Sequence, residues 1–167
     1  MESRHWLVIY VKSCMEKRTA ERLRQMGVEC YLPVQRRWHR WSDRNKQVDH
    51  LVLPLMLFVH VSPAERSLPL TLQAVSRYMV LRGESTPAII PDEQMDRFRF
   101  LIDHSEQEVE LNPAPLAAGD PVRVISGPLD GLEGEFIRVR NQDKIAIRID
   151  QLGCVCVDIS PDMIEKR

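Results

Sequence analysis

The sequence has little of what a membrane, secreted or disulfide-bonded protein needs. No stretch approaches the roughly 20 consecutive apolar residues of a membrane-spanning helix, and Met1 is followed by Glu2, Arg4 and His5 without the apolar core of a secretory signal. The four cysteines among 167 residues are too few and too scattered for a disulfide scaffold. We therefore expect a soluble cytoplasmic protein with no membrane partner. Its length allows a hydrophobic core in one large domain or two small ones.

Signatures of catalysis are also missing. The chain has no G-x-x-x-x-G-K-[ST] phosphate loop, no G-x-S-x-G nucleophile turn and no H-E-x-x-H metal motif. Cys154 and Cys156 alternate with valines along a predicted strand, and no second Cys/His pair follows at zinc spacing. Small apolar core residues are therefore the favoured interpretation of this pair. The sequence predicts a protein that is not an enzyme and that uses neither a metal nor a cofactor.

Charge is balanced overall but uneven along the chain. The 23 Lys/Arg and 24 Asp/Glu give a net charge of −1, which excludes a basic coat over the whole surface. Residues 1–60 nevertheless hold 11 Lys/Arg against 6 Asp/Glu. This excess indicates either an anionic partner that faces this part of the molecule or an ordinary fluctuation of surface charge.

The first hundred residues combine strand and helix patterns. The run His5–Val11 is rich in β-branched and aromatic residues, which predicts a buried strand. Ser13 and Glu16 have the spacing of a capping box, which predicts the start of a helix that ends at Gly27. A second helix is predicted from Asp92, with an apolar stripe formed by Met95, Phe98, Leu101 and Ile102.

The last third has a different pattern. Four short runs with period-2 alternation are separated by turn residues, which is typical of a small β-barrel. These runs are Pro121–Ile125, Glu133–Arg140, Lys144–Ile149 and Cys154–Ile159. The predicted fold class is therefore α+β, with an antiparallel sheet and flanking helices in residues 1–105, a linker in residues 106–118 and a barrel in residues 119–167.

Arginine and tryptophan alternate in a short run of a predicted hairpin. In an extended chain Arg36, Trp38 and Arg40 share one face, and Arg37, His39 and Trp41 share the other. Nucleic-acid surfaces use guanidinium groups for phosphate contacts and aromatic rings for base stacking. The alternative is a solvated hairpin whose arginine stems cover packed tryptophans.

Two parts of the chain together resemble the NusG family. The stretch G-P-L-D-G-L-E-G-E-F from Gly127 to Phe136 resembles a KOW motif, in which Gly127 and Gly131 permit the turn and Gly134 permits a close backbone approach. The N-terminal runs W-L-V-I-Y-V-K, V-E-C-Y-L-P, L-F-V and A-I-I-P resemble the NusG N-terminal domain. The likeness covers almost the whole chain and is closest to the specialised RfaH and UpxY-type antiterminators.

This resemblance implies a non-enzymatic transcription elongation factor that promotes antitermination of specific operons. It implies an apolar pocket of Tyr10, Met56 and Phe58 that docks onto the clamp helices of the largest RNA polymerase subunit. Met56 stands where the family usually has tyrosine, so the hydroxyl contact is lost while apolar area is kept. Lys12, Arg18 and Arg22 match the basic residues that contact non-template DNA in a paused complex.

The resemblance also implies that the KOW domain recruits a ribosomal protein or the termination factor Rho, and that the chain is a monomer. In one branch of the family the KOW domain folds as a helical hairpin, but the alternation from Leu132 to Ile149 predicts a barrel here. A competing hypothesis is a KOW-bearing module that binds RNA or the ribosome. The two hypotheses differ in whether Tyr10, Met56 and Phe58 form an exposed apolar patch.

Overall fold

The computed structural model describes residues 2–40, 43–112, 119–150 and 152–167. They form a mixed α+β fold with three helices and thirteen strands. The helices are α1 (Glu16–Gln25), α2 (Ser67–Leu70) and α3 (Asp92–His104). The strands are β1 (His5–Val11), β2 (Glu29–Tyr31), β3 (Val34–Arg40), β4 (Asn45–Leu51), β5 (Met56–Val61), β6 (Val75–Tyr78), β7 (Ile89–Ile90), β8 (Glu110–Asn112), β9 (Asp120–Val124), β10 (Glu133–Val139), β11 (Gln142–Ile149), β12 (Gly153–Asp158) and β13 (Ile164–Lys166).

The chain divides into two compact units whose boundaries differ from the predicted domains. The first unit contains residues 1–33 and 53–92, and the second contains residues 34–52 and 93–167. The hairpin of β3 and β4 and nearly all of α3 therefore group with the C-terminal strands rather than with the N-terminal sheet. The predicted division at residues 105 and 119 remains a prediction about which parts fold independently.

The first unit is built on an antiparallel sheet in the order β2-β5-β1-β6, with β7 also paired to β1. The predicted strand His5–Val11 is confirmed as β1, which lies at the centre of the sheet and pairs with β5. One face of the sheet packs on α1 through Ala20 and Leu23, as their helical spacing predicts. This arrangement buries the apolar face of an amphipathic helix.

The start of α1 differs from the prediction. Met15 occupies the N-cap position and no side chain caps the helix, so the capping box of Ser13 and Glu16 is not formed. Cys14 adopts a left-handed conformation with φ of 64°, which turns the chain between β1 and α1. The Glu16 side chain is buried at the first turn instead of reaching back to the backbone of Ser13.

The second unit contains a six-stranded antiparallel sheet in the order β13-β9-β10-β11-β12-β8. The four predicted strands are confirmed as β9 to β12, with ends that shift by at most two residues. The prediction of a plain linker over residues 106–118 is wrong at residues 110–112, which form β8 on the outer edge of β12. Residues 113–118, which contain both predicted linker prolines, lie outside the described residues.

The predicted apolar stripe of α3 is confirmed, because its four residues are the buried ones of that helix. The β3–β4 hairpin is held in the same unit by Gln35, a buried residue near the start of β3. Its Nε2 donates to the carbonyl of Gln107 at 2.6 Å, and its Oε1 accepts from the amide of Val109 at 3.0 Å. Trp41 and Ser42 lie outside the described residues.

Candidate partner-binding site

The two faces of the first sheet have different surroundings. Alternate residues of a strand point to opposite faces, so Leu7 and Ile9 of β1 join Leu57 and Val59 of β5 on the face toward α1. Trp6, Val8 and Tyr10 of β1 and their register partners His60, Phe58 and Met56 of β5 lie on the second face. All three residues predicted to bind RNA polymerase, Tyr10, Met56 and Phe58, belong to that second face.

The second face is closed to solvent near the centre of the sheet. Phe58 has no exposed surface, Val8 is opposite it in the register, and the ring of Tyr31 lies 6.4 Å from the Phe58 ring. The prediction that Phe58 is a surface contact is therefore wrong for this conformation. The reason is its position in the middle of β5, where neighbours on β1 and β2 flank it on both sides.

Toward the end of β1 the same face opens to solvent. Tyr10 and Met56 are directly opposite each other in the β1–β5 register, and both side chains are half-buried. The guanidinium carbon of Arg77, the register partner of Tyr10 on β6, lies 4.7 Å from the centroid of the Tyr10 ring. This cation–π contact orients the tyrosine ring while leaving part of it accessible.

Leu55 extends this exposed area and was not predicted from the sequence. It immediately precedes β5, its side chain is 46% exposed, and its φ is 69°. Its carbonyl accepts a hydrogen bond of 2.8 Å from the amide of Val11, which fixes it beside the end of β1. A bulky residue in the left-handed region is strained, and such strain is often retained at functional sites. We call Tyr10, Leu55 and Met56 the apolar corner.

The predicted DNA-binding residues are all at the surface. Lys12 follows β1 directly, and Arg18 and Arg22 lie one helical turn apart on α1; all three are exposed. Because Lys12 is two residues beyond Tyr10, a basic side chain lies close in sequence to the apolar corner. The structure thus places these cations where solvent and partners can reach them.

The three glycines predicted as the KOW motif have the backbone roles that the prediction requires. Gly127 and Gly131 have φ of +83° and +92°, which L side chains rarely adopt. A Cβ on Gly134 would stand 2.7 Å from the carbonyl oxygen of Ala146 on the neighbouring strand. Any side chain there would force β10 and β11 apart.

Several titratable groups have shifted pKa values for structural reasons. Burial raises the pKa of Tyr78 to about 12 and that of the Cys156 thiol to about 11. Cys154 and Cys156 are both buried in a cluster with Ile137 and Ala146, in agreement with the apolar interpretation. Hydrogen bonds from Arg4 and the Ser62 amide lower the pKa of the Glu65 carboxyl to about 2.

The described ranges contain neither a metal-binding cluster nor a membrane-spanning helix. No group of three or more His, Cys, Asp and Glu residues there could hold a metal ion. Among the helices of the same residues, none combines the length and apolar character needed to cross a membrane.

The first unit thus combines an antiparallel sheet, a packed helix, an exposed apolar corner and exposed cations. A family profile described as "Transcription termination factor nusG" matches residues 4–99, and the chain belongs to the NusG family. This family comprises non-enzymatic factors of transcription elongation and termination that interact with RNA polymerase.

One solved structure has a similar fold. The chain is similar to NusG of Thermotoga maritima, in a structure described as "Domain interaction in Thermotoga maritima NusG", with 19% identity and a TM-score of 0.53 over 98% of this chain and 97% of that one. It also aligns with the MjSpt4:Spt5 complex in conformation A at 12% identity and a TM-score of 0.32, covering 97% of each chain. No curated protein matches the chain at a significant level.

Proposed function

We propose that this chain is an operon-specific antitermination factor that binds RNA polymerase through the apolar corner. Its target is the pair of clamp helices on the largest polymerase subunit. The observation that carries the proposal is the placement of Tyr10, Leu55 and Met56 at an open end of a sheet face whose middle is closed. Tyrosine and methionine are enriched in protein interfaces, and an apolar patch of this kind fits the apolar face of a helix.

Phe58 has a supporting role in this proposal. It lies two residues from Met56 on β5, on the same face, and its complete burial fixes the strand that carries the corner. The loss of its side chain would disturb binding only through the fold. The contact residues are therefore Tyr10, Leu55 and Met56, and not the full set that the family pattern implies.

The exposed cations Lys12, Arg18 and Arg22 are proposed to contact non-template DNA in a paused transcription complex. Exposed Lys and Arg residues supply the sequence-independent part of such binding. The C-terminal sheet, proposed as a KOW domain, is assigned the recruitment of a ribosomal protein or Rho. The factor acts as a monomer in the cytoplasm, where its polymerase and DNA partners are found.

The test compares two leucines of nearly equal exposure on the first unit. Leu55 is 46% exposed and Leu70, on α2, is 48% exposed. Affinity for purified RNA polymerase is measured for the full-length chain, for Leu55→Ala with Met56→Ala, and for Leu70→Ala. We expect the double variant to bind about 30-fold more weakly, which corresponds to about 2 kcal/mol for a central contact, and the Leu70 variant to bind normally.

Readthrough of a terminator in the same purified system should fall in parallel with affinity. Equal affinity of all three proteins would exclude the apolar corner as the polymerase contact. Normal polymerase binding without any readthrough by the unmodified chain would instead leave a polymerase-binding protein that is not an antiterminator.

A further inference from the structure

The β3–β4 hairpin is a second surface that the proposed function does not use. Its two strands pair over seven consecutive residue pairs, from Val34 opposite Leu51 to Arg40 opposite Asn45. At about 3.4 Å per residue this ladder is about 20 Å long. Every residue of β4 from Asn45 to His50 is exposed. Because neighbouring side chains point to opposite faces, both faces of the ribbon are open to solvent along β4.

The ribbon carries a concentrated positive charge. Residues 34–52 hold five Lys/Arg and two Asp/Glu, whereas the rest of the chain holds 18 Lys/Arg and 22 Asp/Glu. Arg36, Arg40, Arg44 and Lys46 are all exposed. The contact of Arg36 with Asp49 is weak, since Arg36 Nε lies 3.7 Å from Asp49 Oδ1 and the Arg36 side chain is 75% exposed. This charge is therefore available to an anionic partner.

The contacts that attach the ribbon to the rest of the second unit do not involve these four cations. An isolated two-stranded hairpin is marginally stable in water, so it needs an anchor. Gln35 supplies it through the two hydrogen bonds to Gln107 and Val109, and Arg37 adds an ion pair of 2.5 Å with Glu108. All of these contacts are in the first four residues of β3, and the exposed cations Arg40, Arg44 and Lys46 lie farther along the ribbon. The ribbon is thus held at its base, and the residues of β4 beyond it are exposed.

We propose that the β3–β4 hairpin binds double-stranded DNA by entering the major groove. That groove is about 12 Å wide and admits a two-stranded β-ribbon. Its flanking phosphates attract Lys and Arg. Single strands are more often held in concave basic grooves, whereas this ribbon exposes both of its faces along β4. Double-stranded RNA is disfavoured as well, because its major groove is deep and narrow.

The test measures binding of the full-length chain to a 20-base-pair DNA duplex without polymerase, which separates it from the proposed function. The hairpin variant carries Arg40→Gln, Arg44→Gln and Lys46→Gln. The matched control carries Arg123→Gln, Arg140→Gln and Lys166→Gln, which removes the same charge from exposed positions of the C-terminal sheet. Circular dichroism and thermal melting confirm that both variants remain folded.

We expect the hairpin variant to bind the duplex at least tenfold more weakly, with a slope of log affinity against log salt that is smaller by about three. The control variant should keep most of the affinity for the duplex and most of the salt dependence. The unmodified chain should prefer the DNA duplex to a single strand and to an RNA duplex of the same sequence. Equal losses in the two variants, absence of duplex binding at low salt, or preference for a single strand or for RNA would each overturn the proposal.

Discussion

In the first unit, the sheet face toward α1 is buried at its centre, whereas the opposite face is buried in the middle and half-buried at Met56 and His60, toward the two ends of β5. On the α1 side, Leu7, Ile9, Leu57 and Val59 are all fully buried. On the other side, Phe58 is buried and Met56, two residues away on the same strand, is half-buried. Residue type alone does not distinguish core from contact surface here, because both faces are apolar. The change in exposure from Phe58 to Met56 along β5 distinguishes them.

The largest expected effect is the loss of stability on truncation of Phe58. Phe58→Ala removes a fully buried ring from the sheet, so we expect the free energy of unfolding to fall by about 3–5 kcal/mol. Met56→Ala, on the same face, should cost less than about 1.5 kcal/mol because its side chain is already half in solvent. Urea denaturation measures both. A small cost for Phe58→Ala would show that the middle of this face contributes no more to stability than its open end.

Tyr78, which is buried on the α1 side of the sheet, should make the stability of the protein depend on pH. Its hydroxyl donates to the Arg66 carbonyl at 2.9 Å, and burial raises its pKa to about 12. Because the folded state favours the neutral phenol, this contribution to stability is complete below the ordinary pKa of about 10 and is lost as pH rises toward 12. Tyr78→Phe should cost about 1 kcal/mol at neutral pH.

The same variant should also lose the part of the alkaline decline that Tyr78 causes. Denaturation series between pH 8 and pH 12 would show a shallower decline for Tyr78→Phe than for the unmodified chain. Parallel curves would mean that the Tyr78 hydroxyl titrates alike in the folded and unfolded states.

Leu55 tests the open end, with effects of opposite sign on stability and binding. Left-handed backbone costs an L-residue roughly 1–2 kcal/mol, and glycine does not incur this cost. Leu55→Gly should therefore raise the free energy of unfolding by about 1 kcal/mol while it weakens binding to RNA polymerase. Leu70→Gly, within α2, should give no such gain. A Leu55→Gly protein that is both less stable and normal in binding would remove Leu55 from the apolar corner.

The smallest expected effect concerns the exposed cations Lys12, Arg18 and Arg22. Charge reversal at Lys12, Arg18 or Arg22 should lower the salt dependence of binding to a paused transcription complex by about one unit per lost phosphate contact. Binding to isolated clamp helices should not change, because those contacts are apolar. Unaltered salt dependence in all three variants would assign these residues to an ordinary solvated surface.

The sequence pattern was sufficient to predict those structural features that depend only on residues near one another in the chain. The stripe of Met95, Phe98, Leu101 and Ile102 defines the buried side of α3, and alternation locates β9 to β12. Turn glycines were predictable for the same reason, since the requirement for positive φ at Gly127 and Gly131 is local.

The remaining features depend on contacts distant in sequence. Phe58 and Met56 are two residues apart on β5, so the alternation of the strand places both on the same face of the sheet. The strands that pair with β5 decide which of the two is covered. The strand β6 spans Val75–Tyr78, and its pairing with β1 sets its register. Leu55 carries no local signal for left-handed backbone, so the apolar corner could be predicted only in part.

The strand β8 determines where the chain can be cut. Its three residues pair with β12, and Glu110 lies 3.6 Å from the Lys144 ammonium, which also contacts Asp158 at 2.7 Å. A fragment that begins at residue 119 would leave the backbone donors and acceptors of that edge open, and such edges pair with other chains. It would consequently tend to form oligomers or aggregates at high concentration, whereas a fragment that begins a few residues before Glu110 would retain its own protective edge.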